Sequence, residues 1–133
     1  MTPGAPERLP SARRILVVED DPSIRALCAD VLRDQGYRVE TAVDGQDGLD
    51  HLGNHPDLIV LDLTMPVVDG REFLRQLHAG ASSHAPVLVL TADFGVQTLR
   101  GAKQVMQKPF EISALLDVVA RLLPEPAPGR AAA

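Results

Sequence analysis

A chain of 133 residues is long enough for one domain with a proper core and too short for two ordinary ones. Its 45% hydrophobic and 23% charged residues are the balance of a soluble globular protein, and a formal charge of −5 argues against the basic face of a general nucleic-acid binder. A single cysteine, Cys28, excludes an intramolecular disulfide, and no apolar run approaches the ~20 residues of a bilayer span, so a cytoplasmic location is expected.

In chain order, residues 1–11 carry Pro3, Gly4, Pro6 and Pro10 and read as a disordered tail. Ile15 to Val18 is a buried-strand run closed by Glu19-Asp20-Asp21. Asp21 before Pro22 reads as a helix N-cap with proline at the first helical position. Ile24, Leu27, Cys28, Val31 and Leu32 then recur at helical spacing until Gly36, which makes Cys28 a core residue. Tyr37 to Ala42 is a weaker strand with Asp44-Gly45 as its turn, and Gln46 to Leu52 a short helix stopped by Gly53-Asn54 and Pro56.

Leu58 to Leu61 is the most apolar strand and ends at Asp62. Asp69-Gly70 reads as cap and loop before a helix carrying Phe73, Leu74 and Leu77. Val87 to Leu90 is a fourth strand ending at Thr91, and Asp93 to Leu99 is long enough for about two helical turns. Lys103 to Met106 makes a faint fifth strand before Lys108-Pro109, and Ile112 to Leu123 a last amphipathic helix. Residues 124–133, PEPAPGRAAA, read as a second disordered tail, which leaves 12–123 as the folded unit with no further domain expected.

Five strands this apolar, each followed by a helical stretch, predict an α/β fold: a parallel sheet in three αβα layers, with right-handed crossovers giving a doubly wound order. Ligands in such sheets sit at the carboxyl ends of the strands, so Glu19, Asp20, Asp62, Thr91 and Lys108 are the candidate residues. Three carboxylates in one crevice repel by roughly 4 kcal/mol per pair at about 4 Å, which calls for a divalent cation, and hard oxygen ligands suit Mg²⁺. A carboxylate can act as a nucleophile toward phosphorus, Asp62 being the best placed, with Lys108 and Thr91 as donors to phosphoryl oxygens. His51 and His55 are four apart, but Gly53 and Pro56 interrupt the helix a metal pair would need.

ILVVEDDPSIR, LIVLDLTMPVVDG, VLVLTAD and QKPFE together resemble the response-regulator receiver family over residues 13 to 123. The resemblance implies the flavodoxin-like strand order 2-1-3-4-5, for which a chemotaxis receiver is the standard illustration. It further implies Asp62 as phosphoacceptor, Asp20 and Asp62 as Mg²⁺ ligands, Glu19 acting through metal-bound water, and Thr64 offering its backbone carbonyl. Thr91 would be the switch hydroxyl and Lys108 the phosphate-pairing lysine, with Lys108-Pro109 a candidate cis bond. Thr64 and Asp93 would flank the phosphoryl group and tune its loss, although Asp93 reads equally as a helix cap. The phosphoryl donor would be a sensor histidine kinase or a histidine phosphotransfer protein, and the output a protein partner, with neither nucleic acid nor membrane bound directly.

Such a protein is no enzyme beyond its own phosphorylation and dephosphorylation. Two features depart from the family: Val105 stands where an aromatic switch residue is usual, and the stretch from Thr91 to Lys108 is short. They keep open an interaction module whose output ignores phosphorylation. A haloacid-dehalogenase-like phosphatase would need an aspartate where Thr64 stands, and a flavodoxin would need hydroxyls where Glu19-Asp20-Asp21 stands.

Overall fold

The residues with the most continuous apolar character form the middle of the sheet. In the computed structural model, which describes residues 12–65, 67–80 and 85–123, the strands are β1 (Arg14–Val18), β2 (Arg38–Ala42), β3 (Leu58–Asp62), β4 (Val87–Thr91) and β5 (Gln104–Gln107). They pair in parallel in the order β2-β1-β3-β4-β5, the predicted doubly wound arrangement. β3 and β4 are buried along their whole length, as strands covered on both faces must be.

Alternation along each strand divides the core. Ile15, Val17, Leu58, Val60, Leu88 and Leu90 face α1 (Pro22–Asp34) and the last helix, α4 (Ile112–Leu122). Leu16, Val18, Ile59, Leu61, Val87 and Val89 face the other layer, where α3 (Gly70–Gly80) contributes Phe73, Leu74 and Leu77. The short α2 (Gly45–Asp50) lies beside α3, and a single 3₁₀ turn, Leu52–Asn54, follows it.

Local chemistry explains most of the boundaries. Asp21 Oδ1 accepts from the N–H groups of Ser23 and Ile24, and Gly36, at φ +98°, ends α1 in the left-handed region. Asp69 Oδ1 likewise accepts from Glu72 N–H in the first turn of α3. Cys28 is fully buried beneath β1, and burial, then the nearby Glu19 charge, raise its thiol to about 11 against the opposing pull of Lys108. Roughly a hundredfold less thiolate than at the ordinary value of 9.0 follows. A disulfide reagent should therefore label native protein at least about a hundredfold more slowly than urea-unfolded protein; equal rates would place Cys28 outside the core.

Several boundaries differ from those expected. Asp44-Gly45 is not a free turn: Asp44 Oδ1 accepts from Asp47 N–H and caps α2, which ends at Asp50 rather than Leu52. β5 lies one residue later than Lys103 to Met106. No helix forms over Asp93 to Leu99. Asp93 Oδ1 instead accepts from Gly95 N–H, Val96 N–H bonds to the Asp93 carbonyl, and Gln107 Nε2 donates to the Val96 carbonyl. With Gly95, the β-branched Val96 and Thr98 in so short a run, these turn contacts outcompete a costly helix nucleus. The expected tails, 1–11 and 124–133, lie outside the described residues.

Candidate functional site

Parallel strands deliver their last residues to one rim, and adjacent strands deliver them side by side. β1 leads into Glu19 and Asp20, β3 ends in Asp62 next to it, β4 ends in Thr91, and Lys108 follows β5. Ligand atoms of Glu19, Asp20 and Asp62 all lie within 4.8 Å of one another, the one such acidic group among the described residues. Glu19 is 1% exposed and Asp62 5%, whereas Asp20 is open to solvent.

Lys108 reaches into this cluster. Its Nζ lies 3.1 Å from Glu19 Oε1 and 3.3 Å from Asp62 Oδ1. Thr64 N–H donates to the same Asp62 oxygen at 3.3 Å, so lysine and main chain fix the orientation of the carboxylate from one side. Lys108 is in turn held by its N–H, which bonds to the Thr91 carbonyl at 2.7 Å, and the Lys108-Pro109 bond is cis. Thr91 is 1% exposed, one residue beyond Leu90, the register partner of Asp62, and its hydroxyl accepts from Asp93 N–H at 3.0 Å.

One ammonium does not balance three carboxylates. Burial, then hydrogen bonding and repulsion from Glu19, then Asp20, push Asp62 from 3.8 to about 7 against the attraction of Lys108. Burial works against the charge on Lys108, but Glu19 and then Asp62 outweigh it and raise its pKa. Glu19 Oε1 is buried and makes no directed hydrogen bond, although Lys108 stands near it. A hard divalent cation fits this donor set: it would take up the surplus charge and the unsatisfied oxygen together.

Neither Asp93 nor Val105 belongs to the carboxylate cluster. Asp93 closes a turn of the loop after β4, where no helix exists for it to cap. Val105 sits in β5, in register with Val89, and packs into the α3 side of the core. His51 Nδ1 pairs with Asp47 and has no part in a metal group.

Two contributors escaped a reading by pattern. Arg25, on α1, donates from Nη1 to the carbonyls of Glu19 at 3.0 Å and Asp20 at 3.3 Å, which pins the acidic loop from outside. Gly70 packs its α-carbon against the backbone of Asp62 and Leu63, so close that an added Cβ would lie 2.6 Å from Leu63 Cα. An arginine seven residues after a strand, or one more glycine at a helix start, carries no signal in a single sequence.

The model of the response regulator receiver domain matches residues 15–120. The response regulator MprA of Mycobacterium tuberculosis (strain ATCC 25618 / H37Rv) is 41% identical over 125 residues, covering 90% of this chain and 54% of that protein. MprA of Mycobacterium sp. (strain KMS) is 40% identical over 121 residues, 86% of this chain and 52% of its own. The chain thus spans about half the length of these curated relatives. Among solved structures, TrrA of Thermotoga maritima in complex with Mg²⁺ and BeF superimposes with a TM-score of 0.75 at 31% identity, covering 83% of this chain and 98% of that one. The chemotaxis response regulator CheY4 of Vibrio cholerae gives 0.76 at 31%, covering 84% and 98%.

Proposed function

The chain belongs to the response regulator receiver domain family of two-component systems, and from that premise we propose that it accepts a phosphoryl group on Asp62 in a Mg²⁺-dependent reaction and signals through a protein partner. The observation that carries this reading is the position of Asp62 between Lys108 and two further carboxylates, at the end of the central strand. Asp20 and Asp62 would hold the ion directly, Glu19 through water, and Thr64 through its backbone carbonyl. Bound there, Mg²⁺ shields an incoming phosphoryl group from the acidic charges.

An oxygen of Asp62 attacks phosphorus as the bond to the donor's imidazole nitrogen breaks, and the imidazole leaves with the electron pair. The carboxylate must be ionised to do so, and Lys108 holds it in orientation and then neutralises the charge on the phosphoryl oxygens. Thr91 follows as the switch hydroxyl, with Thr64 and Asp93 flanking the group and tuning the attack of water that restores the aspartate. The donor is a phosphohistidine on a sensor kinase or histidine phosphotransfer protein, and the setting is the cytoplasm. The domain turns over no substrate other than its own phosphoryl group.

Intact-mass measurement after incubation with acetyl phosphate tests this. A gain of one phosphoryl group is expected with Mg²⁺ but not with EDTA, and none in Asp62→Asn. A gain of the same size in that variant, or none in the wild type, overturns the proposal. The missing helix after β4 and Val105 at the switch position favour a second reading, an interaction module indifferent to phosphorylation. An unreactive wild type would decide for it.

A further inference from the structure

The absence of a helix between β4 and β5 leaves an open groove of about 460 Å³ between α3 and the turn that precedes β5. Half-buried Leu99 contributes apolar surface to it, with the buried Leu74 beneath, and Arg71, Arg75 and Arg100 are the charged residues of its lining. The far wall is fixed in place. Gly101 takes φ +91°, its carbonyl lies 3.2 Å from His78 Nε2, and a Cβ there would stand only 2.7 Å from the same nitrogen. A side chain would force the wall off α3, and glycine lets it close.

The charge of the groove opposes that of the chain. Glu72 pairs with Arg75 and takes up part of its charge. Arg71 and Arg100 are exposed and make no ion pair with any described residue. A chain of net charge −5 thus gathers unneutralised positive charge around a small apolar surface. We infer that this groove is a docking site for an acidic, amphipathic segment of a partner protein, which seats an apolar side chain against Leu99 and sets carboxylates against Arg71 and Arg100. Apolar surface supplies area and the arginines supply orientation, the usual division of labour where a short helix enters a groove. The site is separate from the acidic rim and stands whether or not Asp62 is phosphorylated.

The test uses the full chain and a fluorescein-labelled helical peptide of about 14 residues, with leucine every third or fourth position and glutamate between, the helix-in-groove pattern. A lysine-for-glutamate version and a single-stranded DNA oligonucleotide of the same length serve as competitors. Saturable binding of the acidic peptide is expected, with amide shifts centred on Leu74, Leu99 and Gly101. Arg71→Glu with Arg100→Glu should weaken it at least about tenfold and create binding of the lysine peptide, since reversed charges invert the preference. Both arginines are exposed and make no ion pair with a described residue, so the double variant is expected to fold, and an unchanged melting temperature checks that. The inference falls if the acidic peptide does not bind, if its affinity survives the charge reversal, if the shifts lie elsewhere, or if the oligonucleotide binds this groove more tightly.

Discussion

Asp62→Asn is expected to make the magnesium-free protein more stable. In the folded chain this carboxyl is pushed from 3.8 to about 7, by burial first and then by Glu19 and Asp20. The unfolded chain therefore releases its proton near pH 4, while the folded chain keeps it until about pH 7. Across that interval the folded state binds more protons, so stability falls as pH rises, and above pH 7 the whole penalty is present. Each pKa unit is worth about 1.4 kcal/mol, and with part of the strain relaxed the variant should gain ~2–4 kcal/mol at pH 8, or roughly 10 °C in Tm. The gain should shrink to under about 1 kcal/mol near pH 4 and vanish below about pH 3, where the acid is neutral in both states.

Mg²⁺ should act in the opposite sense. A ligand at a hundred times its Kd adds about 2.7 kcal/mol to the state that binds it, so wild type should be raised by the ion and Asp62→Asn barely affected. Urea melts of both proteins at pH 4 and pH 8, with Mg²⁺ or EDTA, give all the comparisons. A variant less stable than wild type at pH 8 in EDTA would show that Asp62 is not under electrostatic strain.

What the sequence revealed and what it hid divide along one physical line. Strands β1, β3 and β4 and helices α1, α3 and α4 were legible because each is specified by its own apolar period, reinforced in α1 and α3 by side-chain caps. Asp21 beside Pro22 and Gly36 mark both ends of α1 with no help from elsewhere. The acidic rim was legible because in a parallel sheet the residue after each strand has only one place to be. The segment after β4 misled because its contest is decided from outside: Gln107, on β5, donates to the Val96 carbonyl and helps hold a turn where local pattern allowed a helix. Arg25 was invisible for the same reason, as its hydrogen bonds go to backbone carbonyls that any residue could offer. Val105 was seen as a departure, and the fold shows where it goes, into the core beside Val89 in register.

The same contrast makes Gly70→Ala the substitution that should damage fold and site together. An alanine Cβ there would lie 2.6 Å from Leu63 Cα and 2.8 Å from the carbonyl oxygens of both Asp62 and Leu63. All three are backbone atoms, so no side chain can swing aside to relieve the overlap. The Gly70 N–H also bonds to the Leu63 carbonyl at 2.8 Å, so α3 cannot move off without losing that bond. Either α3 shifts away from β3, opening the core around Phe73, or the end of β3 moves and takes the Asp62 carboxylate out of reach of Lys108. A loss of about 2–4 kcal/mol is expected, the range for overpacking against rigid neighbours with loss of a hydrogen bond. At a temperature where the variant remains folded, labelling by acetyl phosphate should slow at least about tenfold, a displacement of about an ångström being enough to cost that much. Gly53→Ala is the control: no atom lies within 4 Å of its Cβ, and its φ is not in the left-handed region. It should leave labelling unchanged and stability within about half a kcal/mol. If Gly70→Ala matched that control in both measurements, the close backing of the Asp62 main chain by α3 would not exist in solution.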